Sequence, residues 1–378
     1  MPTASSRSTA SPSSPRGPEV PPALRALAEA GWALVRQAPS ARVGLARLAG
    51  VVDPGALPTA IREPIARELE AARAAACEPL EAAAVKRVAS AFDDFDPDPI
   101  AIRAAAQTHR GTVDGVPVAI RIRRPGLERS VRNDLALLDT LAPALRAALP
   151  RADAGALLRS AREQLLDELD FEHEASMQRR VARALRGIDG LVVPAVHSDL
   201  CAEDVLVAEL LDGETLADGA RPSDPAAAAR TLVAAHVAAA RAGFALVDAR
   251  PGHVVVLADG RIGLLGVGMA RPVGRDRVGR AFDALAALRG ADESSFPGTA
   301  AEYAVARSAL GPLVEGEARL DATALRCALR RALPALELAP QVEPQADDLW
   351  LARAAGQLVA TLARLEASAD WPALVASS

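Results

Sequence analysis

Lysine is almost missing from this chain. Lys86 is the only one in 378 residues, and Asn133 is the only asparagine. A site whose chemistry demands either side chain therefore has a single candidate for it. Alanine and arginine are heavily used instead, a bias that a genome rich in G and C produces by itself, so most of them carry no functional message. Cysteine is scarce as well. Cys77, Cys201 and Cys327 are scattered and form no CxxC pair, which excludes a disulfide framework and reads as reduced thiols of a cytoplasmic protein. No uncharged run exceeds ten residues, against the roughly 20 that a spanning helix needs, so no transmembrane segment is expected. The net charge of −5 lacks the basic excess of a nucleic-acid or anionic-membrane footprint. The opening stretch, MPTASSRSTASPSSPRG, has no apolar core and is not expected to act as a signal peptide.

What remains is the mixture of a soluble globular protein, half apolar and about a quarter charged. The length suits one large two-lobed domain or two ordinary ones. Residues 1–22 are Ser/Pro-rich and are expected to be disordered. Helical periodicity runs from Ala23 to about Arg87, broken at Pro54 and Pro58. At Phe92 the texture changes. GTVDGVPVAIRIRRPG predicts a hairpin turning at Asp114–Gly115, followed by helices through LLRSAREQLLDELDFEHEASMQRRVARAL. The runs LVVPAVHSD and EDVLVAELLDG predict a strand pair. An alanine-rich helix over Pro225–Ala242 leads to a loop and two short strands around Asp259–Gly260, and the rest is mostly helical. The pattern predicts an α+β fold of two lobes. Its parts are a tail over 1–22, a helical extension over 23–87, an N-lobe with a helical insertion over 88–213, and a mainly helical C-lobe over 214–378.

Three places carry candidate chemistry. Arg121 lies mid-strand in VAIR, where a cation on a half-buried sheet calls for a carboxylate partner; an outward-facing arginine is the bland alternative, and the local pattern favours it. Glu168, Asp170 and Glu174 are spaced to gather near one side of a helix or its end, although a solvated acidic face is the ordinary reason for such a run. Asp248 follows an apolar run and precedes a Pro–Gly turn, a commonplace position for aspartate. Taken in order, a strand cation, a helix carboxylate and a loop aspartate before a hairpin follow the assembly of a protein-kinase site.

The residues that carry the order also carry a resemblance. FDDFDPDPIAIRAAAQTHRG, VPVAIRIRRPGLERSVRNDLALL, ELDFEHEA, LVVPAVHSDLCAEDVLVAELLDGETL and GFALVDARPGHVVV with IGLLGVG resemble, in sequence order, the UbiB/AarF family of atypical kinase-like proteins. The similarity covers about half the chain, from Phe92 to Gly268. It implies a two-lobed protein-kinase-like fold, with Ala104 and Ala105 in an alanine-rich nucleotide loop. By the same resemblance Glu174 is the helix carboxylate that pairs with the strand cation, Glu168 and Asp170 are the family's ExD pair, and Asp248 is the catalytic-loop aspartate. Other positions depart from the family. Arg121 stands where the family has lysine, His253 where it has asparagine, and Gly266 where it has the metal-binding aspartate of DFG. Of the family's N-terminal KxGQ only LVRQ at 34–37 remains, with Gln37, Ser40 and Arg42 preserved from the family's QxxSxR.

Those departures set the functional expectation. Phosphoryl transfer depends on magnesium held by a carboxylate and an amide. Glycine offers no ligand, and imidazole suits softer metals. Arg121 keeps the charge and can pair bidentately with Glu174, but it places no compact ammonium on phosphates. Ile102 and Arg103 stand where the family has small residues, so nucleotide is crowded or, through Arg103, held without metal. The leading expectation is a UbiB/AarF-like pseudokinase, a regulatory or scaffolding module for an unidentified protein partner. ATP or ADP would bind weakly and without magnesium, and the metal positions His253 and Gly266 would hold none. The resemblance alone supplies the link to quinone or isoprenoid-lipid metabolism. The alternatives are a divergent ATPase or small-molecule kinase using Asp248 with the Glu168/Asp170 pair, and a family copy without nucleotide function. A cytoplasmic location is expected, with peripheral membrane association left open.

Overall fold

The computed structural model describes residues 21–37, 63, 66–67, 79–103 and 105–378. The Ser/Pro-rich tail up to residue 20, most of the expected helical run through Pro54 and Pro58, the remnant positions Ser40 and Arg42, Cys77 and Ala104 lie outside the described residues. Helices α1 (Pro22–Gln37) and α2 (Ala82–Ala89) fall where the periodicity predicts helix.

Strands β1 (Asp94–Phe95), β2 (Ala101–Ile102), β3 (Ala106–Val113) and β4 (Val116–Arg123) open the N-lobe. The β3–β4 hairpin turns on Asp114 and Gly115, with φ of 51° and 76°. Two positive φ angles define the turn whose twist matches the flanking strands, and Asp-Gly is a favoured dipeptide for it. Along β4 the side chains alternate. Val118, Ile120 and Ile122 are fully buried against Val88, Val205 and Val207. Their neighbours Ala119, Arg121 and Arg123 therefore occupy the opposite face.

Helices α3 (Leu127–Asp134), α4 (Ala142–Ala148), α5 (Ala154–Asp167) and α6 (Phe171–Ala184) follow. The sequence reads as one continuous helix across the α5–α6 junction, and the structure breaks it there. Asp170 is extended, with φ −105° and ψ 103°, and its carboxylate accepts from the His173 amide at 2.9 Å. Aspartate competes with the helical ladder by capping, so it starts α6 instead of continuing α5.

The expected strand pair also separates. β5 (Leu191–Val192) and β6 (Val205–Glu209) do not pair; the segment after β5 meets β6 through an isolated bridge at Val196 and Ala208 and its flanking backbone hydrogen bonds. β6 joins the first sheet beside β4, in the order β1-β3-β4-β6, with β2 also on β3. β5 runs parallel to β10 (Ile262–Leu264) in the C-lobe sheet. Both segments are apolar runs, and an apolar run does not by itself name its partner.

In the C-lobe, β7 (Gly213–Thr215), β9 (Val254–Leu257) and β10 (Ile262–Leu264) complete that sheet, in the order β5-β10-β9-β7. Helix α7 (Pro225–Arg241) starts on an Asp224 cap with Pro225 at the first position, the favoured arrangement at a helix N-terminus. Its buried Leu232, Val233 and Ala235 pack with Leu264, Val267, Leu362 and Trp371 into the main core. Strand β8 (Phe244–Ala245) pairs with β11 (Arg271–Pro272). Helices α8 (Arg275–Arg289), α9 (Ala300–Val314), α10 (Ala322–Ala335), α11 (Ala346–Leu365) and α12 (Trp371–Ser377) complete the lobe, with β12 (Glu317–Arg319) paired to β13 (Ser368–Asp370). Among the described residues no helix is long and apolar enough to cross a membrane. Cys201 and Cys327 are free thiols.

Candidate functional site

Arg121 sits mid-strand on β4, flanked by Thr108 of β3 and Leu206 of β6. Its Nη1 donates to Glu174 Oε1 at 2.5 Å. The guanidinium lies over the Phe171 ring, 4.7 Å from the centroid. Phe171 and Glu174 belong to the first turn of α6, so the Asp170 cap that starts this helix also sets both partners of Arg121. The pairing is single, not bidentate. Glu174 Oε2 is buried and makes no hydrogen bond, because stacking on Phe171 fixes the guanidinium plane. Of the two side chains Arg121 is 29 % exposed and Glu174 only 2 %.

Glu174 also touches the other lobe. A Cβ placed on Gly268 would lie 2.6 Å from both the Glu174 Cγ and its carbonyl oxygen. The absence of a side chain at 268 therefore lets the 266–268 loop rest directly on α6. Val267 beside it is 2 % exposed and belongs to the C-lobe core, so this loop joins the lobes.

Glu168 and Asp170 lie in the α5–α6 link. Asp170 is occupied in capping α6, and Glu168 accepts from Gln164 Nε2 at 3.0 Å. Arg123 reaches across from β4 to donate to the Leu169 carbonyl in the same link. Ala105 is buried, and its carbonyl accepts from the Arg124 amide at 3.0 Å. Ala104 lies outside the described residues. Arg103 is exposed and Ile102 half-buried, and the Arg103 carbonyl accepts from Arg124 Nε at 3.2 Å. Gln107 and His109, within the motif that carries the resemblance, form a buried network. The Gln107 amide contacts His109 Nε2 at 2.9 Å, and Gln107 Oε1 accepts from the Leu80 amide at 2.7 Å. His109 Nδ1 meets the Asp96 carbonyl at 2.9 Å and its ring stacks on Phe95. A buried polar group needs such partners, and these residues tie β3 to α2's approach and to the β1–β2 loop.

On the C-lobe side, Asp248 is 4 % exposed. Helix α11 clamps its loop, with Arg353 Nε donating to the Val247 carbonyl and Thr361 Oγ1 to the Ala249 carbonyl, both at 3.0 Å. Asp248 Oδ1 accepts from Arg250 Nε at 3.2 Å, and Oδ2 lies 3.3 Å from His253 Nδ1. The same Nδ1 is 2.7 Å from the Asp248 carbonyl, while Nε2 is 2.9 Å from Arg250 Nη2. One tautomer satisfies all of these contacts: Nδ1–H donates to Asp248, and Nε2 accepts from Arg250. Burial pushes the His253 pKa down to about 4, against the opposing pull of the Asp248 charge; Arg250 and Arg121 press it the same way as burial. At neutral pH the ring is therefore uncharged, and its contact with Asp248 is a hydrogen bond, not an ion pair.

Gly266 completes the arrangement. Its φ is +71°, and a Cβ there would lie 2.4 Å from His253 Nδ1 and 3.1 Å from the Asp248 carbonyl. The imidazole thus fills the volume into which a side chain at 266 would project. The two departures from the family motif occupy one space. Arg250 was not singled out in the sequence, nor was Phe171, whose role depends on a stack formed only in the fold.

The fold and this cleft define a kinase-like protein. The model of the ABC1 atypical kinase-like domain matches residues 69–296, and the chain belongs to that family, the UbiB/AarF group. Similar curated proteins include the Probable protein kinase UbiB of Aeromonas salmonicida, 35 % identical over 136 residues, which are 35 % of this chain and 25 % of that one. AarF domain-containing protein kinase 1 of Mus musculus is 31 % identical over 136 residues, covering 36 % and 26 %. The matched stretch thus spans about a quarter of the length of these relatives. Among solved structures, the complex of Rv3197 with erythromycin from Mycobacterium tuberculosis shares the fold, with a TM-score of 0.56, 23 % identity, and coverage of 85 % of this chain and 87 % of that one.

Proposed function

We propose that this chain is a pseudokinase of the ABC1 family, a module that acts by binding and conformation and not by phosphoryl transfer. The observation that carries this reading is the His253 ring, seated 2.4 Å from where a Cβ at Gly266 would stand. Magnesium takes oxygen ligands in near-octahedral geometry. The groups facing Asp248 are instead an N–H of imidazole and a guanidinium, so this donor set does not fit the ion. A catalytic base must also reach the substrate hydroxyl, and both carboxylate oxygens of Asp248 already have internal partners. Any ATP or ADP binding falls to cations such as the part-exposed Arg121, and is weak and independent of magnesium. The reading assigns the chain a regulatory or scaffolding role for a protein partner, and a connection to quinone or isoprenoid-lipid metabolism rests on kinship alone.

The test is ATP turnover by the purified protein with and without magnesium, beside the Asp248→Asn variant. The expected result is no turnover above that of the variant. Magnesium-dependent turnover lost on Asp248→Asn would overturn the reading and favour a divergent ATPase. Thermal shifts with ADP in magnesium and in a chelator should be equal in size.

A further inference from the structure

Away from the cleft, a cavity of about 520 Å³ opens on the N-lobe between the end of β4 and the start of α3, within the range of small-molecule sites. Five arginines line it: Arg87, Arg123, Arg124, Arg129 and Arg132. The carboxylates lining it are Glu128 and Asp204, and Glu203 also reaches Arg123, at 3.2 Å. The cavity therefore keeps a surplus of two positive charges in a chain whose net charge is −5. The only asparagine of the chain, Asn133, lines it too.

The arginines are graded by burial. Arg123 has 10 % of its side chain exposed, held by the Leu169 carbonyl and Glu203. Arg87 and Arg132 are each 61 % exposed at the rim. A fixed inner guanidinium with long outer ones is suited to grip an anion from several sides. The Pro125–Gly126 turn, with Gly126 at φ +77°, starts α3 at the cavity, and no side chain caps its amides. Glu128 occupies this place, shared between Arg132 at 2.7 Å and Arg123 at 3.7 Å.

We propose that this cavity binds a small molecule carrying two or more phosphate groups, at a site separate from the kinase-like cleft. The concave shape and the clustered fork donors fit a compact oligophosphate, whose oxygens would take over contacts now made by Glu128. Arg124 connects the site to the alanine-rich loop through its bonds to the Arg103 and Ala105 carbonyls, so occupancy would stiffen that loop. The inference does not depend on the pseudokinase reading.

Titration calorimetry of the full chain with inorganic tripolyphosphate tests it. Saturable binding is expected, weakening as salt is raised. The paired change Arg129→Ala with Arg132→Ala should weaken it about tenfold or more, whereas Arg261→Ala, on an exposed turn of the C-lobe, should leave it unchanged. Glu128→Gln removes the competing carboxylate and should tighten binding severalfold, an effect that damage to the fold would not mimic. Absence of saturable binding, loss on Arg261→Ala, or weaker binding in Glu128→Gln would overturn the proposal. Capture by phosphatidylglycerol vesicles through the same arginines, without tripolyphosphate binding, would overturn it in favour of a membrane surface.

Discussion

On the N-lobe wall of the cleft Arg121 keeps 29 % of its side chain exposed, and its partner Glu174 leaves one buried oxygen without a hydrogen bond. On the C-lobe wall Asp248, Arg250 and His253 satisfy one another, and their side chains are 5 %, 14 % and 19 % exposed. The first wall retains an unsatisfied acceptor and a reachable cation. The second has turned inward and filled its own volume. On the proposed pseudokinase reading, the difference implies that a site without metal ligands need not be left as a hole. The His253 ring supplies the atoms that occupy the volume into which a side chain at Gly266 would project.

The largest expected effect tests that shared volume. Gly266→Asp should destabilise the protein by about 3 kcal/mol, since the new Cβ overlaps His253 and the residue is held at positive φ. Adding His253→Asn should recover about half of the loss, giving a coupling of about 1.5 kcal/mol or more in urea denaturation. Simple additivity would show that the two positions are independent losses. The same double variant restores an oxygen ligand at each position, and a magnesium-dependent thermal shift with ATP is expected only there.

The second prediction uses acidity. His253 has its pKa pushed down to about 4 from 6.5, so the native state binds fewer protons than the unfolded chain between those values. Its contribution to stability is complete above pH 6.5 and is lost as pH falls toward 4. The slope approaches about 1.4 kcal/mol per pH unit in that window. His236, buried in the C-lobe with Nδ1 on the Leu232 carbonyl, is pushed down to about 4 as well and adds the same sign. His253→Asn should therefore remove roughly half of the histidine-driven slope between pH 6 and 5. An unchanged slope would mean that the His253 ring is open to water, and the contrast between the walls would fail.

Much of this arrangement was legible in the sequence where short range decides. Asp114–Gly115 fixes its hairpin through the φ angles it tolerates, and Asp224–Pro225 starts α7 by capping. The order of Arg121, Glu174 and Asp248 points to a kinase-like cleft only when the three are taken together, since each alone has a commonplace local reading. The rest depends on contacts between distant residues. The break at Asp170 was hidden because LLDELDFEHEA has helical spacing on both sides of it. The partner of β5 was hidden because Val207 of β6 and Ile262 of β10 are equally apolar neighbours for any strand. That His253 and Gly266 share one volume could not be read at all, since twelve residues and a hairpin lie between them.

The smallest effect sharpens the N-lobe wall. Arg121→Lys keeps the positive charge but loses the planar stack on Phe171 and the Nη1 bond to Glu174 as now placed. Because Arg121 is part-exposed, water screens the pair, and the change should cost only about 0.5–1 kcal/mol. A cycle with Glu174→Gln should give a coupling within the same range of about 0.5–1 kcal/mol. The lysine variant should also give a larger thermal shift with ATP, since a compact ammonium sits on phosphates better than a stacked guanidinium. A coupling above about 2 kcal/mol would place Arg121 with the tightly held buried pairs. The N-lobe wall would then be as self-contained as the C-lobe one, and nucleotide would find no free cation on either side.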